Sequence, residues 1–174
     1  MYKKGIFIGR FQPFHYGHLK ALELITRMCE EIIIGIGSAN TTGTARNPLD
    51  VNERQEIIST VLVKRQLEAN IYSIEDIPDD KRWMDYVLRC DFDAIFSSNQ
   101  WVLDIAKSVK DESGYDYAII DVKPLVDSGD TKDISATKVR ASIKDDDGQW
   151  KSMIPEEIIP IIEGRFHDRF RKID

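Results

Sequence analysis

The sequence contains little cysteine, and this scarcity excludes two kinds of site. Cys29 and Cys90 are the only cysteines among 174 residues, the first in a predicted helix and the second just before a predicted strand. No CxxC pair is present, which argues against a zinc ribbon or a dithiol redox centre and favours a reducing compartment. We therefore expect an intracellular, cytoplasmic protein.

Long apolar runs and an excess of positive charge are also missing. No segment approaches the roughly 20 apolar residues of a membrane span, and the N-terminal run MYKKGIFIG is too short and too polar for a signal-peptide core. The 30 acidic residues outnumber the 24 basic ones, which gives a net charge of -6. This balance argues against wholesale electrostatic binding of nucleic acid or of an anionic membrane, so we expect neither as a partner.

Short β-branched runs alternate with helical patterns along the chain. The predicted strands are residues 5–9, 31–37, 70–76, 93–98 and 117–122. Continuous apolar runs of this length are typical of parallel strands that are buried on both faces. The first helix is predicted by apolar residues at helical spacing, namely Leu19, Leu22, Ile25 and Met28. Asp50 with Glu53 forms a capping box ahead of the second helix.

The alternation of strand and helix predicts an α/β fold with a Rossmann-like parallel β-sheet flanked by helices. We expect one domain over residues 1–174, with a small helical segment from about 150 to 174. The spacing of Phe166, Phe170 and Ile173 makes the basic tail a candidate helix for docking on a partner subunit. Ligands of such sheets bind beyond the carboxyl ends of the strands, so the loops after the strands are the candidate site.

The run GRFQPFHYGH follows the first predicted strand and gathers groups that suit a phosphate. Gly9 and Gly17 leave room for a ligand near the backbone, and a helix that begins here offers free N–H groups to an anion. His15 and His18 are spaced i, i+3 and can face one ligand as hydrogen-bond donors. Zinc binding is the alternative, although the run has no Cys or carboxylate to complete such a site. Neither GxGxxG nor GxxxxGK[ST] is present.

Two motifs together resemble those of the nucleotidylyltransferase superfamily. His15-Tyr16-Gly17-His18 resembles its HxGH motif, and ISATKVR at residues 134–140 resembles its ISSTxxR motif, with Ala136 in place of a serine. Further features resemble the archaeal branch of the nicotinamide-mononucleotide adenylyltransferases, namely the RFQPFH loop, the GSAN loop, the segment 46–48, the pair Glu53-Arg54 and Trp83. This resemblance extends over nearly the whole chain.

The resemblance implies a reaction and its partners. ATP would condense with nicotinamide mononucleotide (NMN) to give NAD and pyrophosphate in NAD biosynthesis, by in-line attack on the α-phosphate. The family commonly forms homo-oligomers, and Mg²⁺ would enter bound to ATP rather than at a site of the protein. The acidic run at residues 145–147 is interpreted as a solvated loop and not as a metal site.

The resemblance also assigns roles to individual residues. The expected catalytic residues are His15, His18, Arg46 and Arg140. The expected ATP-binding residues are Gly9, Arg10, Phe11, Gln12, Gly17, Ser135 and Thr137. The expected contacts of the nicotinamide nucleotide are Ser38, Asn40, Trp83 and Asn99, with the indole stacked on the cationic ring. Trp101 and Trp150 match no motif position and are assigned to packing.

Two other functions remain open at this stage. Small nucleotidylyltransferases with phosphopantetheine, flavin mononucleotide or an alcohol phosphate as acceptor share both motifs, and only the Trp83, RFQPFH and GSAN features favour a pyridine nucleotide. A non-catalytic nucleotide sensor on the same scaffold would be expected to have lost a phosphate contact, whereas His15, His18 and Arg140 are all present. The choice between the amide and the acid form of the mononucleotide is left open.

Overall fold

A computed structural model describes residues 1–173 and shows a five-stranded parallel sheet flanked by helices. The strands are β1 (Tyr2–Gly9), β2 (Cys29–Ile36), β3 (Asn70–Ser73), β4 (Ala94–Ser97) and β5 (Ala118–Asp121). They lie in the order β3-β2-β1-β4-β5, and every neighbouring pair is parallel. The predicted Rossmann-like α/β fold is confirmed, and each of the five predicted runs overlaps an observed strand.

Helices cover both faces of this sheet. They are α1 (Tyr16–Ile25), α2 (Val51–Arg65), α3 (Asp80–Leu88), α4 (Gln100–Ser113), α5 (Lys123–Val126), α6 (Ala136–Asp145), α7 (Ile159–Ile161) and α8 (His167–Lys172). Shorter 3₁₀ turns lie at Gly129–Thr131, Gln149–Ser152 and Glu156–Ile158, and one π-helical turn spans Ile162–Phe166. No helix within residues 1–173 combines the length and the apolar character that crossing a membrane requires.

The central strand β1 separates two apolar cores because its side chains alternate between the sheet faces. Phe7 packs into a core built with α1, α2, α6 and the C-terminal segment. Ile6 and Ile8 pack into a second core with α3 and α4, which includes Trp83. The loops that follow β1, β2, β4 and β5 therefore leave the sheet at one edge, between the two helical layers.

Cys29 was predicted in a helix, and this prediction is wrong. Helix α1 ends at Ile25, before Met28, and Cys29 opens β2 as the partner of Tyr2 on β1. A Cβ atom built on Gly5 would lie 2.5 Å from the Cys29 Sγ, so the sulfur occupies space that this glycine leaves free. Backbone pairing with β1, which apolar spacing does not report, decides the conformation of this residue.

The C-terminal segment is helical as predicted, but its aromatic side chains pack on their own chain. Phe166 and Phe170 are buried in the core beside α1, α2 and α6. Arg165 forms an ion pair with Glu56, and Arg169 forms one with Glu53, both on α2. Docking of these two rings on a partner subunit is therefore excluded. Asp174, the last residue of the predicted segment, lies outside the described residues.

Candidate active site

A cavity of about 700 Å³ opens at the carboxyl ends of the strands. This volume falls within the usual range for small-molecule sites. Thirteen of the residues that the sequence predicts for the site line it: Gly9, Arg10, Phe11, Gln12, His15, His18, Ser38, Arg46, Trp83, Asn99, Ser135, Thr137 and Arg140. Gly17 and Asn40 are the two predicted residues that do not.

The loop after β1 is shaped by aromatic packing beneath the cavity. Phe11 has a positive φ of 53°, and its buried ring lies 5.5 Å from the ring of Phe7 and 4.8 Å from that of His18, between centroids. A Cβ atom on Gly9 would lie 2.9 Å from the Phe11 ring. Gly9 thus makes room for an aromatic side chain of its own loop, which is a different reason from the approach of a ligand.

Gly17 has a similar structural role one turn into the site. A Cβ atom at this position would lie 2.8 Å from Val126 Cγ1 and 2.9 Å from His15 Cε1. Only glycine therefore lets α5 and the His15 ring approach the first turn of α1 together. Its contribution to ligand binding is indirect, through the placement of His15.

The two histidines form one stacked unit at the start of α1. His15 is the residue that caps the helix, and its backbone N–H donates to His18 Nδ1 at 3.2 Å. The two rings stack with centroids 3.6 Å apart. Because His18 Nδ1 accepts this bond, a neutral His18 ring carries its proton on Nε2. Within residues 1–173, the buried His15 Nδ1 has no hydrogen-bond partner.

Both imidazoles are uncharged in the free protein at neutral pH. Burial, with a smaller contribution from the positive charge of Arg140, lowers the pKa of His15 to about 3. Burial and the neighbouring His15 hold the pKa of His18 well below its ordinary value. Each ring can therefore donate a hydrogen bond without a fixed full charge, which suits charge that develops only during a reaction.

The buried His15 should make stability fall as the solution is acidified. Its pKa is about 3 in the folded protein, and its ordinary value is 6.5. The unfolded chain therefore binds a proton below pH 6.5 that the folded protein refuses down to about pH 3. We expect the free energy of unfolding in urea to fall between pH 6.5 and 5 by up to about 1.4 kcal/mol per pH unit for this group.

A His15→Gln variant provides the control for this pH dependence. It removes one titrating ring but leaves the surface carboxylates unchanged, so its stability should decline less steeply over the same pH interval. Identical slopes for the variant and the wild type would contradict the account of a buried, neutral His15.

Three guanidinium groups, those of Arg10, Arg46 and Arg140, share the cavity. The pKa of Arg140 is lowered by burial and by the charges of Arg10 and Arg46, and that of Arg10 by burial and Arg46. Arg140 Nη1 donates to the Gln12 carbonyl at 2.8 Å, but none of the three groups forms an ion pair with a carboxylate within residues 1–173. Their mutual repulsion is relieved by a polyanionic ligand, so the cavity favours a polyphosphate.

Two helices of ten residues begin at the same side of the cavity. These are α1, which follows His15, and α6, which follows Ser135. The Ser135 Oγ accepts a hydrogen bond from the backbone N–H of Lys138 at 3.2 Å and so fixes the first turn of α6. The partial positive charges of the two helix ends add to those of the arginines.

Two tryptophans define the opposite side of the cavity. Trp83 on α3 is only 2% exposed, whereas Trp101 at the start of α4 is 41% exposed. Their ring centroids lie 4.8 Å apart, so Trp83 supports Trp101 from behind. The side-chain oxygen of Asn99 accepts the Trp101 backbone N–H at 3.2 Å and thereby fixes the start of this helix. An exposed indole with a buried neighbour is suited to bind a flat, cationic ring.

Comparison of the sequence with known proteins identifies a family and several relatives. Residues 6–142 match the model of the cytidylyltransferase-like family. The nicotinamide-nucleotide adenylyltransferase of Thermococcus kodakarensis is 34% identical over 93% of this chain and 83% of its own length. That of Halobacterium salinarum is 30% identical over 91% of this chain and 85% of its own. This chain belongs to the nicotinamide-nucleotide adenylyltransferase family.

Solved structures share the fold of this adenylyltransferase at low sequence identity. A bifunctional NMN adenylyltransferase/ADP ribose pyrophosphatase of Francisella tularensis, solved with AMP and a manganese ion, superimposes with a TM-score of 0.71 at 20% identity. The match covers 98% of this chain, which spans about half (52%) of that protein. A nicotinic acid mononucleotide adenylyltransferase of Plasmodium falciparum, solved with NaAD, gives a TM-score of 0.60 at 14% identity over 97% of this chain.

Asn40 was predicted to contact the nicotinamide nucleotide, but in this adenylyltransferase its side chain faces another loop. The Asn40 Nδ2 donates to the Asp76 carbonyl at 3.2 Å, and the Asp76 N–H donates to Asn40 Oδ1 at 2.9 Å. Ser38 Oγ donates to the Asp76 carboxylate at 3.1 Å. The loop after β2 is therefore held to the loop after β3, and Asp76, rather than Asn40, lines the cavity.

Gln12 is in the cavity wall as predicted, but its side-chain amide is already engaged. Its Nε2 donates to the Leu49 carbonyl at 2.7 Å, and its Oε1 accepts the Leu49 N–H at 3.0 Å. The contribution of Gln12 to the site is consequently structural, since its own carbonyl accepts the bond from Arg140.

Several residues of the cavity wall were not among the predicted site residues, notably Asn47, Asp76 and Trp101. The assignment of Trp101 to packing is wrong because much of its ring is exposed, while that of Trp150 is confirmed by its burial. The signal for Trp101 was its position two residues after the Asn99 cap, in the first turn of the helix that follows β4. Asn47 has a buried Oδ1 with no partner within residues 1–173, as expected of an acceptor that awaits a ligand.

Proposed function

We propose that the protein transfers the adenylyl group of ATP to NMN and releases pyrophosphate, as the last step in making NAD. The observation that carries this proposal is the division of one cavity into two unlike halves. One half holds His15, His18, Arg140 and two helix starts, and the other presents the exposed Trp101. The first half suits a triphosphate, and the half with the exposed indole suits a cationic aromatic ring.

The triphosphate binds along the positive half. Arg140 and the start of α6 hold the β- and γ-phosphates, and Arg10 and Arg46 neutralise the remaining charge. His18 donates from Nε2 to the α-phosphate, where negative charge accumulates as the 5′-phosphate of NMN attacks in line. Catalysis of this kind depends on positioning and charge stabilisation, so the protein supplies no nucleophile of its own.

Divalent metal enters with the nucleotide in this proposal. Within residues 1–173, no group of three or more His, Cys, Asp or Glu side chains is arranged to hold a metal ion. Mg²⁺ retains several waters and commonly relies on substrate phosphates, so ATP itself is its main ligand. The bound metal supplies further neutralisation of phosphate charge.

The nicotinamide ring stacks on Trp101 in this proposal and not on Trp83, the residue expected from the sequence, because Trp83 is buried and supports Trp101. Ser38 and Asn99, at the carboxyl ends of β2 and β4, contact the ribose and the carboxamide by hydrogen bonds in the same proposal. The cationic ring gains both dispersion and cation–π attraction from an indole that is partly withdrawn from water. Asp76 adds a carboxylate to the same wall.

Replacing Trp101 should weaken binding of NMN and leave ATP binding intact. Loss of stacking on a partly desolvated indole is worth about 1.4 kcal/mol, so we expect Trp101→Ala to raise the KM for NMN about tenfold. The KM for ATP should change by less than about twofold. The Trp101→Phe variant should have a KM for NMN between those of Trp101→Ala and the wild type. Initial rates with either substrate varied measure both constants, and an unchanged KM for NMN would exclude this position of the ring.

An acceptor panel tests the proposed function directly. Pyrophosphate release from ATP and Mg²⁺ is measured with NMN, its acid form, phosphopantetheine and flavin mononucleotide. Turnover with either pyridine mononucleotide supports the proposal, and the ratio between the two decides the amide or acid preference. Turnover with only another acceptor would keep the adenylyl transfer but contradict the substrate. Silence with all four would favour a nucleotide sensor.

Self-association and a cytoplasmic location are proposed from the resemblance to the family alone. The two aromatic side chains of the tail are excluded as the contact because they are buried within the chain. Light scattering on the purified protein gives the number of subunits.

A further inference from the structure

Arg54 is a completely buried charged residue in the first turn of α2. Its guanidinium donates to four backbone carbonyls, and no ion pair within residues 1–173 involves it. The acceptors are Asp50 O at 3.2 Å from Nε, Arg10 O at 2.9 Å and Gly37 O at 2.7 Å from Nη1, and Ser38 O at 3.0 Å from Nη2. One side chain thus joins three segments of backbone.

Two of these segments are adjacent loops of the cavity wall. The loop after β1 carries Arg10 and leads to the histidine pair, while the loop after β2 carries Gly37 and Ser38. The same loops are also joined by the hydrogen bond from the Gly37 N–H to the Gly9 carbonyl at 2.8 Å and by two bonds between the Gln12 side-chain amide and the Leu49 backbone. Arg54 adds three bonds from one planar group, which hold the Arg10 carbonyl at a fixed distance from the Gly37 and Ser38 carbonyls.

The burial of Arg54 costs more free energy than is expected for a residue whose only role is to stabilise the fold. Burying a guanidinium without a contacting carboxylate carries a desolvation penalty of several kcal/mol, which only dense hydrogen bonding offsets. Burial lowers the pKa of Arg54 to about 10, with Asp50 opposing the shift and Arg10 adding to it. The group is still protonated at neutral pH, so its charge contributes to the positive field at the cavity.

We propose that Arg54 is a positioning residue that fixes the loop after β1 against the loop after β2 and so aligns the two substrates for in-line transfer. This inference rests on the proposed function, because it assigns the loop after β1 to ATP and Ser38, in the loop after β2, to NMN. Only arginine offers a planar set of N–H groups that reaches three segments at once, whereas lysine presents a single ammonium group.

The first test separates alignment from binding. We expect Arg54→Lys to lower kcat about 100-fold while the KM for ATP and the KM for NMN each change less than about threefold, because each subsite survives but their mutual placement is lost. Circular dichroism confirms that the variant is folded at the assay temperature. Arg65→Lys is the matched control, since Arg65 lies on the same helix and pairs with Glu157 outside the cavity. Its kcat should stay within twofold of the wild type.

A folded Arg54→Lys protein with kcat within threefold of the wild type would overturn the proposal. A loss confined to the KM of one substrate would also overturn it, because that result indicates a contact within one subsite. If the lysine variant does not fold, Arg54→Gln at a lower temperature provides the same comparison.

A second test uses the wild-type protein and does not depend on the acceptor. Inorganic tripolyphosphate should bind the positive half of the cavity, and hydrogen exchange should then slow at the amides of Gly37 and Ala39 as well as at residues 10–12. Unchanged exchange in the loop after β2 would contradict the coupling through Arg54. If the wild type fails to make NAD, the proposed function fails, while the same exchange experiment on Arg54→Lys, in which the slowing at Gly37 and Ala39 should be lost, still tests the role of Arg54.

Discussion

A His18→Ala variant is expected to lose at least ~100-fold in kcat while its KM for ATP changes by less than about threefold. The Nδ1 of His18 is occupied by the backbone N–H of His15, so its Nε2–H is the group free to donate to the α-phosphate. That bond strengthens as charge builds up in the transition state and is weak in the bound substrate. Removal of it therefore affects the reaction step far more than binding.

Pyrophosphate release at saturating ATP, Mg²⁺ and NMN measures this effect. His167→Ala is the matched control, because His167 contacts Asp146 and Trp150 in the C-terminal segment and lies outside the cavity. The control should retain at least half of the wild-type kcat. A His18→Ala kcat within tenfold of the wild type, or a loss seen only in the KM for ATP, would contradict the role assigned to this ring.

Removing the charge of Arg140 should reduce kcat/KM for ATP by about 100- to 1000-fold, or about 3–4 kcal/mol of transition-state stabilisation. The Arg140→Ala substitution removes two interactions of the guanidinium group. The triphosphate loses a cation, and the buried Gln12 carbonyl loses the donor at 2.8 Å that holds the loop after β1. Arg140→Lys keeps the positive charge, but its ammonium group cannot donate to the Gln12 carbonyl and to a phosphate together. Its kcat/KM for ATP should therefore lie between those of the wild type and Arg140→Ala.

Steady-state rates with ATP varied at fixed NMN measure the Arg140 variants. Arg171→Ala removes an arginine that pairs with Asp146 near the end of the chain and should leave kcat/KM within twofold. If the alanine and lysine variants of Arg140 both behave like this control, the cavity does not hold the triphosphate at this position.

Much of the site was predictable because two motifs lie at strand ends that a parallel sheet brings together. His15 and Arg140 are far apart in sequence, yet both line one cavity, and Arg140 bonds to Gln12 across 128 residues. The rule that ligands bind beyond the carboxyl ends of parallel strands predicts this meeting without any knowledge of side-chain contacts.

The remaining features depend on long-range contacts that sequence patterns do not record. Arg54 belongs to a residue pair that resembles the family, but its place in the first turn of a polar helix does not show that three loop carbonyls bury it. Trp101 follows a helix cap, and only the packing of Trp83 behind it decides which face is exposed. Phe170 belongs to a basic tail that packs on α6 and on α1 and α2, which lie more than a hundred residues earlier.

The central claim is that this cavity transfers the adenylyl group of ATP to NMN in a single in-line step. The most direct measurement uses one diastereomer of ATPαS, chiral at the α-phosphorus, with NMN and Mg²⁺, followed by assignment of the configuration of the dinucleotide product. We expect a thio-analogue of NAD, formed together with one equivalent of pyrophosphate and with inverted configuration at the α-phosphorus. Retention of configuration, which indicates two successive displacements through a covalent adenylyl-enzyme, or the absence of any dinucleotide product would contradict it.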